Sequence, residues 1–170
     1  MSDPAPEFSR LVPLARLGAE PFRQEIAAGE GERAALARRF GLVALDRLTA
    51  VVELRHETGG TILLIAAFAA EFAQECVVTL EPVAGGVEAS FALRYGPPEN
   101  EPESDDDDEP AFEPLSGEAI DIGEAVAQEF SLSLPPFPRA PGAAIEDDAP
   151  EAAGDGPFAP LGRRARRETE

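Results

Sequence analysis

The sequence predicts an α+β protein: an antiparallel sheet packed with one or two short helices, carrying an acidic loop and a disordered tail. Three observations carry that reading. From Leu45 to Tyr95 apolar residues recur at every second position, the period of a strand with one face buried. Two segments, Glu30–Phe40 and one beginning near Ile122, space their apolar residues at helical intervals and are bounded by start and stop signals. The 17 prolines and 15 glycines crowd the C-terminal half of the 170 residues, so the core that a 44% hydrophobic content allows belongs mainly to the first part.

The elements follow in chain order. Met1–Pro6 is acidic and contains prolines, without the basic start and apolar run of a secretory signal, which predicts a cytoplasmic protein. Phe8–Val12 and Phe22–Ile26 alternate apolar and polar residues between Pro13, Gly18 and Pro21, and are candidate strands. Glu30–Phe40 is rich in Ala, Leu, Glu and Arg, sets Leu36 and Phe40 four apart, and stops at Gly41, as a helix does. Its Arg33, Arg38 and Arg39 read as a solvated face more readily than as a phosphate site.

Leu48, Val52 and Leu54 then alternate with Arg47, Thr49, Glu53 and Arg55, and Thr58-Gly59-Gly60 marks a turn. In the next run Ile62, Leu64, Phe68, Phe72, Cys76, Val78 and Leu80 share one parity, which predicts a long or bent strand reaching Leu80 with Cys76 facing the core. Pro82–Gly86 reads as the next turn, and Val87–Tyr95 as the cleanest strand. The simplest topology is an antiparallel meander of three strands, with barrel-like closure as the other arrangement, covered by the Glu30 helix and the Ile122 helix. The apolar run Ile62–Ala70 is nine residues long, short of the roughly 17–25 a membrane helix needs.

Residues 97–114, with Asp105–Asp108 consecutive and no basic residue, cannot bury enough apolar surface to offset the ordering of their backbone, which predicts a mobile acidic loop. Residues 7–140 read as one domain and 141–170 as a disordered linker and Arg-rich tail ending in Arg163, Arg164, Arg166 and Arg167.

Glu118–Pro138, EAIDIGEAVAQEFSLSLPPFP, has the most unusual residue order in the chain. Asp121 and Glu124 have capping-box spacing, in which the first side chain accepts from free helix amides and the second reaches back. The helix they start buries Ile122, Val126 and Phe130, keeps Glu124, Gln128 and Glu129 at the edge, and ends before Pro135 and Pro136. Asp121, Gly123, Glu124, Glu129, Leu132, Leu134, Pro135 and Pro138, in this order, resemble the C-terminal signature of the YceD family, proteins of bacteria and plastids associated with accumulation of 23S ribosomal RNA. Two further stretches are similar to that family: Glu75–Pro82 to its Cys-x-x-Cys-Leu-x-Pro segment, with Thr79 at the second cysteine, and Pro157–Leu161 with the following arginines to its closing motif.

Charge constrains mechanism. The net charge is −19, and residues 96–138 hold thirteen acidic residues and no basic one, about two thirds of the excess. A body of that sign repels a phosphate backbone and attracts a basic protein. The resemblance implies a non-catalytic role in ribosome biogenesis, supporting 23S rRNA synthesis, processing or stability. The charge points to a basic ribosomal protein or pre-large-subunit particle as partner, met by Asp121, Glu124, Glu129, Leu132, Leu134, Pro135 and Pro138. The arginine tail is the candidate RNA contact. On residues alone an acidic protein-binding module unrelated to ribosomes and a cryptic hydrolase also stay open.

Enzyme readings have little to stand on. His56 and Cys76 are the sole histidine and cysteine, too few for a closed zinc site and enough for one Cys-His pair only if the two meet. Gly59-Gly60 and Gly85-Gly86 read as turns between strands, not as loops opening a helix onto phosphate. No cofactor, metal, small-molecule substrate or membrane contact is expected.

Overall fold

The computed structural model describes residues 6–100, 109–115 and 117–144. Its elements run β1 (Leu11–Pro13), β2 (Phe22–Ala27), α1 (Glu30–Phe40), β3 (Ala44–His56), β4 (Ile62–Glu75), β5 (Pro82–Gly96), β6 (Ala111–Pro114), β7 (Ala119–Asp121) and α2 (Ile122–Leu132). Five strands form one sheet in the order β2-β3-β4-β5-β6, antiparallel except for the parallel β5–β6 pair, and β1 and β7 form a separate antiparallel ribbon. The expected three-strand meander is therefore its centre. Barrel-like closure is not adopted, because β2 and β6 are edges that do not pair with each other.

Register explains the core. Ala50 pairs with Phe68 and Phe68 with Ala89, Val52 with Ala66 and Ala66 with Phe91, Leu54 with Leu64 and Leu64 with Leu93, so one parity of each strand shares one face. Both helices pack on that face. Phe130 of α2 sits edge-on to Phe40 of α1 at 5.9 Å, and to Phe68 and Phe72 of β4 at 6.4 and 5.7 Å between ring centroids. The other face, with Glu25, Thr49, Val51, Ala67, Ala69, Glu88 and Ser90, forms an open trough of about 760 Å³.

Three expectations beyond β3 fail for identifiable reasons. The strand does not continue to Leu80: β4 ends at Glu75, and residues 76–81 form the hairpin loop, closed by Cys76 N–H donating to the Glu81 carbonyl at 2.8 Å. Pro82–Gly86 is therefore not a turn but the first part of β5. A strand tolerates Gly85 because the Phe72 ring lies across it: a Cβ there would sit 2.7 Å from that ring. Third, the segment read as loop ends in β6, whose Ala111 and Phe112 pair with Leu93 and Arg94. Asp105–Asp108 lie outside the described residues, as do the tail arginines Arg163, Arg164, Arg166 and Arg167. At the N-terminus, Phe8 is a buried core residue and the strand begins later, at Leu11.

Among the described residues no helix is long and apolar enough to cross a membrane.

Candidate functional site

The signature segment has two ends of different character. At its start, Asp121 caps α2 by accepting from the backbone N–H of Gly123 and Glu124 at 3.1 and 3.2 Å. The same carboxylate accepts from Arg10 N–H at 2.7 Å and from the Ser9 hydroxyl at 2.5 Å, which ties the chain's first described segment to the helix. Gly123 allows this approach, since a Cβ there would lie 2.5 Å from the Phe8 carbonyl oxygen. Arg10 in turn forks onto Glu32 at 2.6 and 2.9 Å, and Glu32 accepts from Gly29 N–H to cap α1. That fork holds the Glu32 carboxyl below its ordinary range and raises the Arg10 guanidinium.

Glu124 corrects the capping-box expectation. It does not reach back to the helix start but accepts both Nη groups of Arg39, at 2.7 and 2.9 Å, while Arg39 also reaches Glu7 at 3.0 Å. The hydrogen bonds that Arg39 donates to Glu124 are the main reason its guanidinium is held well above its ordinary value. So Asp121 and Glu124 come together, and both have their oxygens engaged within the chain.

The far end differs. Leu134 packs against the core, but Leu132, Pro135 and Phe137 are exposed. This exit is held by contacts to the end of β4 and to the hairpin loop: the Gln74 side chain donates to the Pro135 carbonyl at 3.1 Å and Val77 N–H to the Pro138 carbonyl at 2.9 Å. Ala140 N–H donates to the buried Cys76 Sγ at 3.2 Å, and Val78 and Thr79 N–H donate to it at 3.4 Å each. Hydrogen bonding from the Thr79 hydroxyl, then from the Ala140 amide, draws the Cys76 thiol down to about 7 against the opposing effect of burial. Glu129 lies one turn before the exit, where burial first and the charge of Glu113 second raise its carboxyl. Burial likewise raises Tyr95, reinforced by Glu113.

A family model described as Large ribosomal RNA subunit accumulation protein YceD matches residues 66–158, more than half of the chain. The chain belongs to the YceD family. The match runs from the middle of β4 through the hairpin loop, β5, β6, β7 and α2, and so takes in both ends of the signature and the Cys76 turn that holds one of them. The description gives the family a role in accumulation of large-subunit ribosomal RNA. No curated protein and no solved structure matches the chain.

Other chemistry is kept apart by the fold. His56 ends β3 opposite Ile62, at the start of β4, whereas Cys76 follows the end of that 14-residue strand, so the Cys-His pair does not form. Among the described residues no group of three His, Cys, Asp or Glu is placed to hold a metal ion. Sequence reasoning passed over Val77 and Phe137 and put Leu80 in the core by parity. The signal for Phe137 was in view: an aromatic residue between Pro136 and Pro138 has no helix or strand to bury it.

Proposed function

We propose that this YceD-family chain is a non-catalytic factor in ribosome biogenesis that supports 23S rRNA accumulation by holding a basic ribosomal protein or an assembly intermediate in the cytoplasm. The observation that carries the mechanism is charge. A chain of net −19 disfavours contact with bare phosphate and favours a cationic protein. The described acids divide further: Glu124 and Glu109 are neutralised by Arg39 and Arg94, whereas Glu129 and Glu113 sit close enough to raise the former's carboxyl. In this reading Asp121 and Glu124 build the platform, and Glu129, Leu132, Leu134, Pro135 and Pro138 shape the contact. Neither a small-molecule substrate nor a cofactor is involved.

Depletion tests the role. Large-subunit rRNA should fall selectively, and a parallel fall of small-subunit rRNA would count against it. Deleting Asp105–Asp108 should weaken capture of RNA-free large-subunit proteins at low salt, and unchanged capture would remove that acidic run from the mechanism. A second reading rests on the dense cluster Arg163, Arg164, Arg166 and Arg167, a basic arm toward rRNA. Ribonuclease separates the two: association with the particle survives it if a protein is held and is lost if the arm holds RNA.

A further inference from the structure

The segment formed by the end of β4 and the hairpin loop, and the helix exit about sixty residues further on, are joined by three hydrogen bonds: Gln74 to Pro135, Val77 to Pro138, and Ala140 to Cys76. These two segments carry four of the seven large apolar side chains that the described residues leave exposed. Val77 is 48% exposed, Leu80 67%, Leu132 78% and Phe137 75%. Scattered apolar residues are ordinary on a surface, but a concentration on one pair of bonded segments is not.

Leu80 adds an independent sign. Its φ is +60°, and it is the one described residue other than glycine in the left-handed region. A Cβ makes that conformation unfavourable, so glycine or asparagine suits it better. The fold gains nothing from leucine in return, because the side chain points into solvent. Strain kept without packing gain is the pattern of a residue presented to something else.

We propose that Val77, Leu80, Leu132 and Phe137 form a docking surface for a protein segment with an apolar anchor flanked by Lys or Arg. The partner's chemistry follows from the rim. Glu75 precedes the hairpin loop, Glu81 ends it and Glu129 lies in the last turn of α2, and among the described residues of these two segments the one cation is Arg139. An apolar centre with an acidic edge complements a cationic segment that carries a bulky side chain, and such centres supply most of the affinity at protein interfaces. Aliphatic Val77, Leu80 and Leu132 offer nothing to a phosphate. The inference rests on the proposed function, and names the surface by which the basic partner is held.

The test places a photo-cross-linking phenylalanine analogue at Phe137 in the full chain and offers the RNA-free protein fraction of purified large ribosomal subunits. The expected result is a cross-link to a basic protein of that fraction. Leu80→Gly should reduce it at least fivefold while melting at or above the wild-type temperature, since glycine relieves the backbone. Val77→Ser should also weaken it, leaving the Val77 N–H bond in place. Cross-linking by both variants at the wild-type level would overturn the docking surface and leave the proposed function standing. No capture by the wild-type chain would overturn both. A cross-link to a second copy, to residues 145–170 of the same chain, or to added rRNA in preference to protein would assign the surface to another occupant and overturn the proposal.

Discussion

The two ends of α2 are eleven residues apart and have opposite relations to the rest of the chain. At the start, Asp121 accepts from four donors and Glu124 from three, and the backbone of Phe8 and Arg10 presses against Gly123. At the exit, carbonyls and amides make the connections, and the large side chains Leu132 and Phe137 face outward. A signature in sequence thus mixes two kinds of residue. Those at the start are consumed in assembling the fold, whereas at the exit Leu134 packs on the core and Leu132 and Pro135 stay exposed. Asp and Glu in such a motif are no guide to contact until their oxygens have been accounted for.

The largest expected effect comes from the residue that serves both ends. Phe130 is fully buried among Phe40, Phe68 and Phe72, so Phe130→Ala should cost about 3–5 kcal/mol in a denaturant titration and weaken start and exit together. A loss under about 1 kcal/mol would mean the aromatic cluster does not anchor the helix. Gly123→Ala should break the comparison on one side only. Its new Cβ would meet backbone at 2.5 and 3.0 Å, which cannot rotate away as a side chain can, and the cost should be about 1–3 kcal/mol. Hydrogen exchange would then quicken at Ile122, whose amide bonds the Arg10 carbonyl, and stay slow at Val77, whose amide bonds Pro138. Equal quickening at both would show the two ends to be one cooperative unit. Asp121→Ala loses a cap worth about 1 kcal/mol and leaves Arg10 N–H without its acceptor, a total of about 2 kcal/mol by thermal melting. Partner capture per folded chain should not change, and a loss of capture at unchanged stability would move Asp121 to the contact surface.

What could be read in advance tracks how local the determinant is. The bounds of α1, Glu30 to Phe40 with Gly41 at φ +65°, and the start of α2 at Ile122 follow from caps and spacing that act within a few residues. The hairpin loop was misplaced because proline and glycine occupy residues 82–86, whereas the actual turn contains neither. It is held by Cys76 accepting from Val78, Thr79 and the distant Ala140, which no window of sequence contains. The same applies to β6, whose parallel pairing beside Arg94 is set by a neighbour 18 residues away. At the site, the Asp121 cap was legible. Its bonds to Ser9 and Arg10, more than 110 residues off, were not, nor was the diversion of Glu124 to Arg39. Parity failed at Leu80 because it presumes a strand, and the strand had already ended.

The smallest expected effect is also the most discriminating, because Glu129 lies between the two ends and belongs fully to neither. Burial and the neighbouring Glu113 raise its carboxyl above the ordinary 4.5, so the folded chain holds that proton more tightly than the unfolded one. The stabilisation from its protonation is complete below pH 4.5 and is lost as pH rises through the raised folded value. At pH 7 the ionised group is therefore a small net cost to folding. Glu129→Gln removes that cost, so the variant should melt slightly higher than wild type at pH 7, and the advantage should vanish below pH 4.5. Removing the charge should at the same time weaken capture of a cationic partner at low salt, with the difference fading as salt is added. A variant that melts higher and captures less would show one carboxylate opposing the fold while serving the contact. Melting at or below wild type at pH 7 would instead make Glu129 a supporting residue, and would extend the character of the helix start through the last turn of α2.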